Sequence, residues 1–308
     1  YIMSCRQMGM KIMPPDINEG EGGFSVSDGA IRYGLSAIKS IGQSVVDEIV
    51  RERTEHGKFR SLEDFIDRMS GREVNKRTLE SFIKSGAMDG LPGTRKQKSM
   101  VCGSMVDQKN KEKKNTMEGQ MSLFDFAAEE DKKAFEIRIP DVAEYTKEEL
   151  LGYEKEILGV YVSGHPLDEY TGMVKKYITN VSSDFEIDDE TGETKVKDGA
   201  VATIGGLITN KTIKTTKKGQ LMAFFTLEDV VGTVEVVVFP NSFTANRVVM
   251  DHAEKVFVTG KVQANVDENA KLICDKVVDF NTIPRKLWIR FESLSAYEEK
   301  KAELDGIL

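Results

Sequence analysis

Two hydrophobic rhythms divide this chain. Up to about residue 180, apolar residues recur every three or four positions, the spacing of helices buried along one face. Ile38, Ile41, Val45 and Ile49 form one such stripe, and Leu62, Phe65, Ile66 and Met69 a second. Ser61-Leu62-Glu63-Asp64 marks the start of that second helix. Asn75 caps a third, which runs from Lys76 to a stop at Gly86. Thr146-Lys147-Glu148-Glu149 is a capping box, with Tyr145 and Leu150 placed as a hydrophobic staple. It opens a helix carried by Leu150, Leu151, Glu154, Ile157 and Leu158 to Gly159. At the front, Tyr1–Lys11 reads as the end of a helix stopped by Met13-Pro14-Pro15-Asp16, because proline lacks an N–H and restricts the residue before it. Asp28-Gly29 between Phe24–Val26 and Ala30–Tyr33 predicts a hairpin.

From about residue 200 the period falls to two. Val201–Thr209, Leu221–Glu228, Thr233–Phe239, Lys255–Gln263 and Lys271–Phe280 predict five strands, with a helix over Ser242–Asp251. In the second strand Leu221, Ala223, Phe225 and Leu227 share one face and Met222, Phe224 and Thr226 the other. Gly205-Gly206 suggests a bulge or bend in the first, and the acidic Asp184–Glu190 a solvated loop. Five strands with a helix between the third and fourth is the order of an OB-fold. The fold class is therefore α+β and multidomain, a helical region followed by a five-stranded barrel.

Composition narrows the chemistry. The chain has 308 residues, enough for two or three domains, with 40% hydrophobic and 31% charged residues and a net charge of −8. Modules for duplex DNA are usually basic, so nucleic-acid contact here requires local cationic patches. Cys5, Cys102 and Cys274 form no CxxC pair, and His56, His165 and His252 have no HExxH spacing. That argues against a metal site. Free thiols, with no signal-like segment and no 20-residue apolar run, fit a cytoplasmic protein without membrane contact. The opening at Tyr1 reads as part of something larger. No catalytic residue is expected: His165 precedes Pro166 without a partner carboxylate and reads as structural.

Three stretches are candidates for binding. Lys211, Lys214, Lys217 and Lys218 crowd the segment between the first two barrel strands, where OB-folds meet single strands. Phe224 lies on the face opposite the presumed core, to stack on a base or to be covered by a neighbouring domain. The lysines are either a cationic site or a solvated loop. Thr94–Thr116 is a polar run that reads as a solvated helix or linker. It leads to Gln120-Met121-Ser122-Leu123-Phe124-Asp125-Phe126, which is either a short core helix or a peptide plug whose Leu123 and Phe124 fill another protein's pocket.

Ile38-Lys39-Ser40-Ile41-Gly42-Gln43 reads either as an ordinary αα-hairpin or, by resemblance, as a helix-hairpin-helix turn, in which glycines and a helix N-terminus offer backbone N–H groups to a duplex phosphate. That pattern prefers two glycines; Ser40 stands at the first and Gly42 at the second. Lys39 is the candidate phosphate partner, while Arg51 and Arg53 read as helix charges. Lys76 and Arg77 sit in a helix first turn, where cations oppose the dipole. They either meet an external anion or are solvated.

The run Lys147–Glu156 into Gly159–Leu167 resembles bacterial DNA polymerase III alpha subunits, the C-family replicative polymerases. Met13-Pro14-Pro15-Asp16-Ile17-Asn18, Asn75-Lys76-Arg77-Thr78-Leu79 and Gly86-Ala87 resemble them too. So does Leu227-Glu228-Asp229 with Gly232 and Glu235, a pattern shared with OB-folds of aminoacyl-tRNA synthetases. The resemblance implies the end of a fingers region (1–34), a helix-hairpin-helix region (35–93), and a linker with a sliding-clamp motif and connecting helix (94–180). An OB-fold (181–284) and the start of a tau-binding domain (285–308) follow. Gln120, Met121, Leu123 and Phe124 would bind the clamp's beta subunit. Lys39, Ser40, Gly42, Lys76 and Arg77 would face duplex DNA, and the four lysines with Phe224 the single strand. The parent reaction would be DNA-directed DNA synthesis with Mg2+. Its palm carboxylates are expected upstream, so this stretch is expected to be inactive alone and to hold no cofactor. The runner-up reading is an OB-fold anticodon-binding region of a synthetase-like protein; a helix-hairpin-helix repair protein would leave the barrel and the plug unexplained.

Overall fold

The computed structural model describes residues 5, 8–27, 29–69, 74–117, 138–188, 190–283 and 292–305. They form two compact units, 1–170 and 171–308.

The first unit opens with a small sheet, β1 (Lys11–Met13), β2 (Ser25–Ser27) and β3 (Ala30–Arg32), in the order β1-β3-β2. The Asp-Gly hairpin forms as expected, Ser27 facing Ala30 across the turn. The helix expected over Tyr1–Lys11 is not what Lys11 joins: it opens β1, parallel to β3. Four helices follow: α1 (Gln43–His56), α2 (Leu62–Met69), α3 (Lys76–Lys84) and α4 (Arg95–Met117). The stripe from Ile38 to Ile49 is buried throughout, but only from Val45 onward is it helical. Ile38 and Ile41 reach the core from a tight turn, and the helix starts just after Gly42, where the residues place the junction. Asn75 caps α3 by accepting from the Thr78 N–H at 3.0 Å.

The polar run after Thr94 is a 23-residue helix, α4, and its first half is no linker. Val101 and Cys102 are buried in the helical core, with Met105 and Val106 packed against it. Arg95 and Lys98 are buried beside them. Arg95 makes a two-pronged pair with Asp89 (2.9 and 2.7 Å) and donates to the Lys84 carbonyl. It lies 3.5 Å from Glu154, which is fully buried and accepts from the Val162 and Ser163 N–H groups. Glu154 belongs to α5 (Lys147–Leu158), whose capping box forms as expected between Thr146 and Glu149. Gly159 ends it in the left-handed region (φ 78°). The expected plug, 120–126, lies outside the described residues.

The second unit begins with α6 (Thr171–Tyr177). Its barrel strands are β4 (Val201–Thr215), β5 (Leu221–Glu228), β6 (Thr233–Val238), β7 (Lys255–Gln263) and β8 (Lys271–Asp279). They close in the order β4-β5-β6-β8-β7. Helix α7 (Pro240–His252) lies between the third and fourth strands, and α8 (Leu294–Asp305) follows the barrel. This is the expected OB topology.

Three details depart from expectation. Gly205 and Gly206 pair with β7 without a bulge. They are needed for close approach: a side chain at Gly205 would meet the Phe257 ring at 2.8 Å, and one at Gly206 the Glu228 carbonyl at 2.6 Å. The bulge in β4 falls between Thr209 and Thr212 instead. The segment 184–190 is only partly a loop, because Phe185 is buried in the barrel core.

Side chains hold what the ladder leaves open. The β7–β8 register slips at Thr259/Gly260, leaving Asp275 as the extra residue. The buried Asn246 of α7 donates to the Asp275 carbonyl (3.1 Å) and accepts from the Val277 N–H (2.8 Å), pairing groups a bulge would strand. Buried Asp229 accepts from the Val231 and Gly232 N–H groups at 2.8 Å each, and from Ser182 through both backbone and hydroxyl. It ties the β5–β6 turn to the segment before the barrel. That gives a physical reason for the Asp229 and Gly232 pattern.

Candidate nucleic-acid interface

The lysine-rich stretch between the first two barrel strands is not a loop. β4 and β5 continue past the barrel as a hairpin, paired from Thr212–Phe224 to Thr215–Leu221. A four-residue turn closes it, Gly219 N–H donating to the Thr216 carbonyl at 2.9 Å with Gly219 at φ 76°. Lys217 and Lys218 are the central residues of that turn and are exposed.

Register fixes which side chains share the outer face. Cross-strand partners point the same way, so Lys214 with Met222, Thr212 with Phe224, and Phe224 with Val237 lie on it. Thr226 and Glu235 continue it along β5 and β6. The alternation of β5 holds: Ala223, Phe225 and Leu227 are buried and Phe224 is half-buried on the opposite face. The Lys214 ammonium lies 5.2 Å from the Phe224 ring centroid, a cation–π distance. Lys211 is committed elsewhere, donating to the Met250 carbonyl (2.6 Å) and pairing with Asp251 (3.2 Å) at the end of α7.

Beside Phe224 the outer face sinks into a groove of about 590 Å³. Asn210 (φ 49°), Thr226 and Glu235 line it from the sheet. Glu268, Asn269 and Lys271 line it from the β7–β8 connection, where Lys271 pairs with Glu235 at 3.2 Å. The sequence reading missed this groove, although the period of two places Glu235 on the same side as Thr226.

In the helical unit the candidate turn is built as the residues suggest. Ser40 adopts φ 68°, the left-handed conformation that glycine takes without cost. Gly42 is the N-cap of α1, and no side chain caps that terminus. The turn is held by the C-terminus of α5, whose last four carbonyls all have donors. Lys155 O accepts from the Gly159 N–H (3.0 Å) and Glu156 O from the Lys39 ammonium (2.7 Å). Ile157 O accepts from the Lys39 N–H (3.1 Å) and Leu158 O from the Tyr33 hydroxyl (3.2 Å). Lys39, expected as a phosphate partner, therefore anchors the turn from behind. Lys76 pairs with Asp107 at 2.7 Å, and Arg77 beside it is exposed.

His165 is buried and accepts the Leu167 N–H on Nδ1 (3.1 Å), a structural role. Burial pushes the Cys274 thiol up to about 12 and raises that of Cys102. Among the described residues no group of three or more His, Cys, Asp and Glu is placed to hold a metal ion. Among them no helix is long and apolar enough to cross a membrane.

A closed OB barrel with an aromatic and lysines on its outer face, alongside a helix-hairpin-helix unit, defines the architecture of a nucleic-acid-binding protein. Family comparison agrees: residues 9–98 match the helix-hairpin-helix motif, and residues 202–279 match the OB-fold nucleic acid binding domain. Over its length the chain is similar to DNA polymerase III alpha subunits. It is 37% identical to that of Borreliella burgdorferi over 92% of this chain and 24% of that protein. Against that of Mycobacterium tuberculosis the identity is 30% over 100% of this chain and 26% of that protein. The chain spans about a quarter of the length of the curated DNA polymerase III alpha subunits it matches. Solved structures align over 27% of it. They include an asparaginyl-tRNA synthetase from Pyrococcus horikoshii (21% identity, TM-score 0.22, 20% of that chain). Another is the mitochondrial single-stranded DNA binding protein Rim1 of S. cerevisiae (14%, TM-score 0.22, 94% of that chain). Neither likeness bears on what this chain does.

Proposed function

We propose that this chain is the DNA- and clamp-binding stretch of a cytoplasmic replicative DNA polymerase. The barrel's outer face takes single-stranded template. The turn at Ser40–Gly42, with Lys76 and Arg77 on α3, takes duplex phosphates, and Lys39 holds that turn in place. Gln120, Met121, Leu123 and Phe124 dock on the sliding clamp, and contact with the clamp-loader tau subunit belongs to the region after residue 285. DNA synthesis and its Mg2+ requirement are assigned to other parts of the longer protein, so this stretch does not polymerise alone.

The observation that carries the single-strand reading is Phe224 on the outer face under the Lys214 ammonium, with Lys217 and Lys218 beyond it at the hairpin tip. An aromatic gives every base a stacking surface, and the lysines meet the backbone whatever the sequence. The test is anisotropy titration of labelled single-stranded DNA against a salt series. Phe224→Ala loses about 1–3 kcal/mol of binding with an unchanged salt slope. Replacing Lys214, Lys217 and Lys218 by Ala flattens the slope by about 0.7 for each phosphate no longer neutralised. A slope that does not move removes the hairpin from the interface, and preferential binding of tRNA in the same assay favours the synthetase-like reading. Clamp docking is tested by pull-down with the beta subunit: Leu123→Ala with Phe124→Ala abolishes capture, and retained capture refutes the motif.

A further inference from the structure

The groove beside Phe224 carries the opposite charge from the hairpin next to it. Lys214, Lys217 and Lys218 stand on the hairpin, whereas Glu186, Glu235 and Glu268 line the groove against a single cation, Lys271. Lys271 is itself paired with Glu235 at 3.2 Å. Phosphates are repelled by such a lining, so a strand lying across this face has its backbone on the hairpin and turns its bases inward. At about 590 Å³ the concavity is of small-ligand size and admits a base stacked against Phe224.

Resting on the single-strand reading, we propose that this groove reads base edges and favours bases rich in N–H donors, cytosine over thymine. The chemistry follows from the lining. Carboxylates accept hydrogen bonds and cannot donate them. Cytosine presents an exocyclic amine, which Glu and Asp accept from in base readout. Thymine presents two carbonyl oxygens and one ring N–H, so its edge sets acceptor against acceptor. Glu235 and Glu268 are the specificity-determining residues, and the hairpin lysines supply affinity without preference.

The test uses the full chain and two unstructured strands, dT15 and the same strand with dC at alternate positions. The wild type binds the dC-containing strand about fivefold more tightly. Glu235→Gln and Glu268→Gln together bring the ratio to about one, because an amide donates as well as accepts, while the salt slope stays as in the wild type. Equal wild-type affinities overturn the proposal and leave the single-strand reading standing. Binding to neither strand overturns both. A dC preference that survives the double substitution also overturns it, since the preference then lies outside these carboxylates. Circular dichroism of the variant confirms that the barrel is intact.

Discussion

Ser40 concentrates the helix-hairpin-helix question in one residue. Its φ of 68° is the conformation in which a Cβ crowds the following carbonyl, at about 1–2 kcal/mol for a residue other than glycine. The motif's usual glycine has no Cβ and escapes that cost. The sequence showed the substitution but not its consequence: a turn with Ser could have relaxed away from the left-handed region. It has not, because Lys39 on one side is fixed by two bonds to α5 and Ile41 on the other is buried. Ser40→Gly therefore raises the unfolding free energy of the helical unit by about 0.5–1 kcal/mol, the strain relieved less the extra entropy of an unfolded glycine. Urea denaturation followed by circular dichroism measures it. A neutral or destabilising result means that the Ser40 side chain contributes to the turn.

At the scale of elements, α4 shows why pattern alone left a solvated helix and a linker both open, and hid the buried face of the helix. Its apolar face is short, around Val101–Val106, and a long polar tail dilutes any periodicity. The overlooked signal was Thr94-x-x-Gln97, a capping box that forms with the Thr94 N–H on Gln97 (2.9 Å) and the Gln97 N–H on Thr94 (3.1 Å). The β4 arm of the β4–β5 hairpin was missed for a related reason: from Asn210 to Thr215 every residue is exposed, so no buried face marks it as a strand. Caps, the Asp-Gly turn and the inward faces of the barrel strands were legible because each is set by neighbouring residues. The other donors at the start of α4 were not, because they are satisfied from 48 and 49 residues away. Glu144 accepts from the N–H groups of Arg95 (2.8 Å) and Lys96 (3.0 Å). Burial alone would raise the Glu144 carboxyl. The N–H groups of Tyr145, Arg95 and Lys96 outweigh it and hold the group below its ordinary value of 4.5. A carboxyl depressed in the folded state stabilises fully above its unfolded value and loses that contribution as pH falls through the folded one. Glu144→Gln should thus destabilise the helical unit at pH 7 and by much less near pH 3. Denaturation midpoints at both pH values test this, and an equal deficit at both would mean that packing rather than charge is lost.

For the whole molecule, the same contrast between local and distant information decides which boundaries could be read. The change of rhythm near residue 200 located the barrel but not the start of its unit, because the segment before β4 contributes single residues rather than a periodic face. Phe185 and Val196 enter the barrel core, and the Thr179 N–H donates to the Thr203 carbonyl at 2.9 Å. Asp229 reaches back to Ser182, and the Ala270 N–H donates to the Phe185 carbonyl at 2.8 Å. Each contact pairs a residue before β4 with one far along the chain, so no window of sequence contains both ends. They place these residues with the barrel, in a unit beginning at Thr171. Residues 171–308 produced alone should therefore unfold in one cooperative transition in urea, since they carry their own closed sheet and core. Starting instead at Ala200 removes the Phe185 ring and strands Asp229 without its Ser182 donors. Removing a buried aromatic from a core costs about 3–5 kcal/mol, a large share of the 5–15 kcal/mol that holds a domain folded. The shorter piece should show a broad, early transition or exposed apolar surface by dye binding. If the two pieces unfold alike, the segment 171–199 is an accessory to the barrel and the unit begins at its first strand.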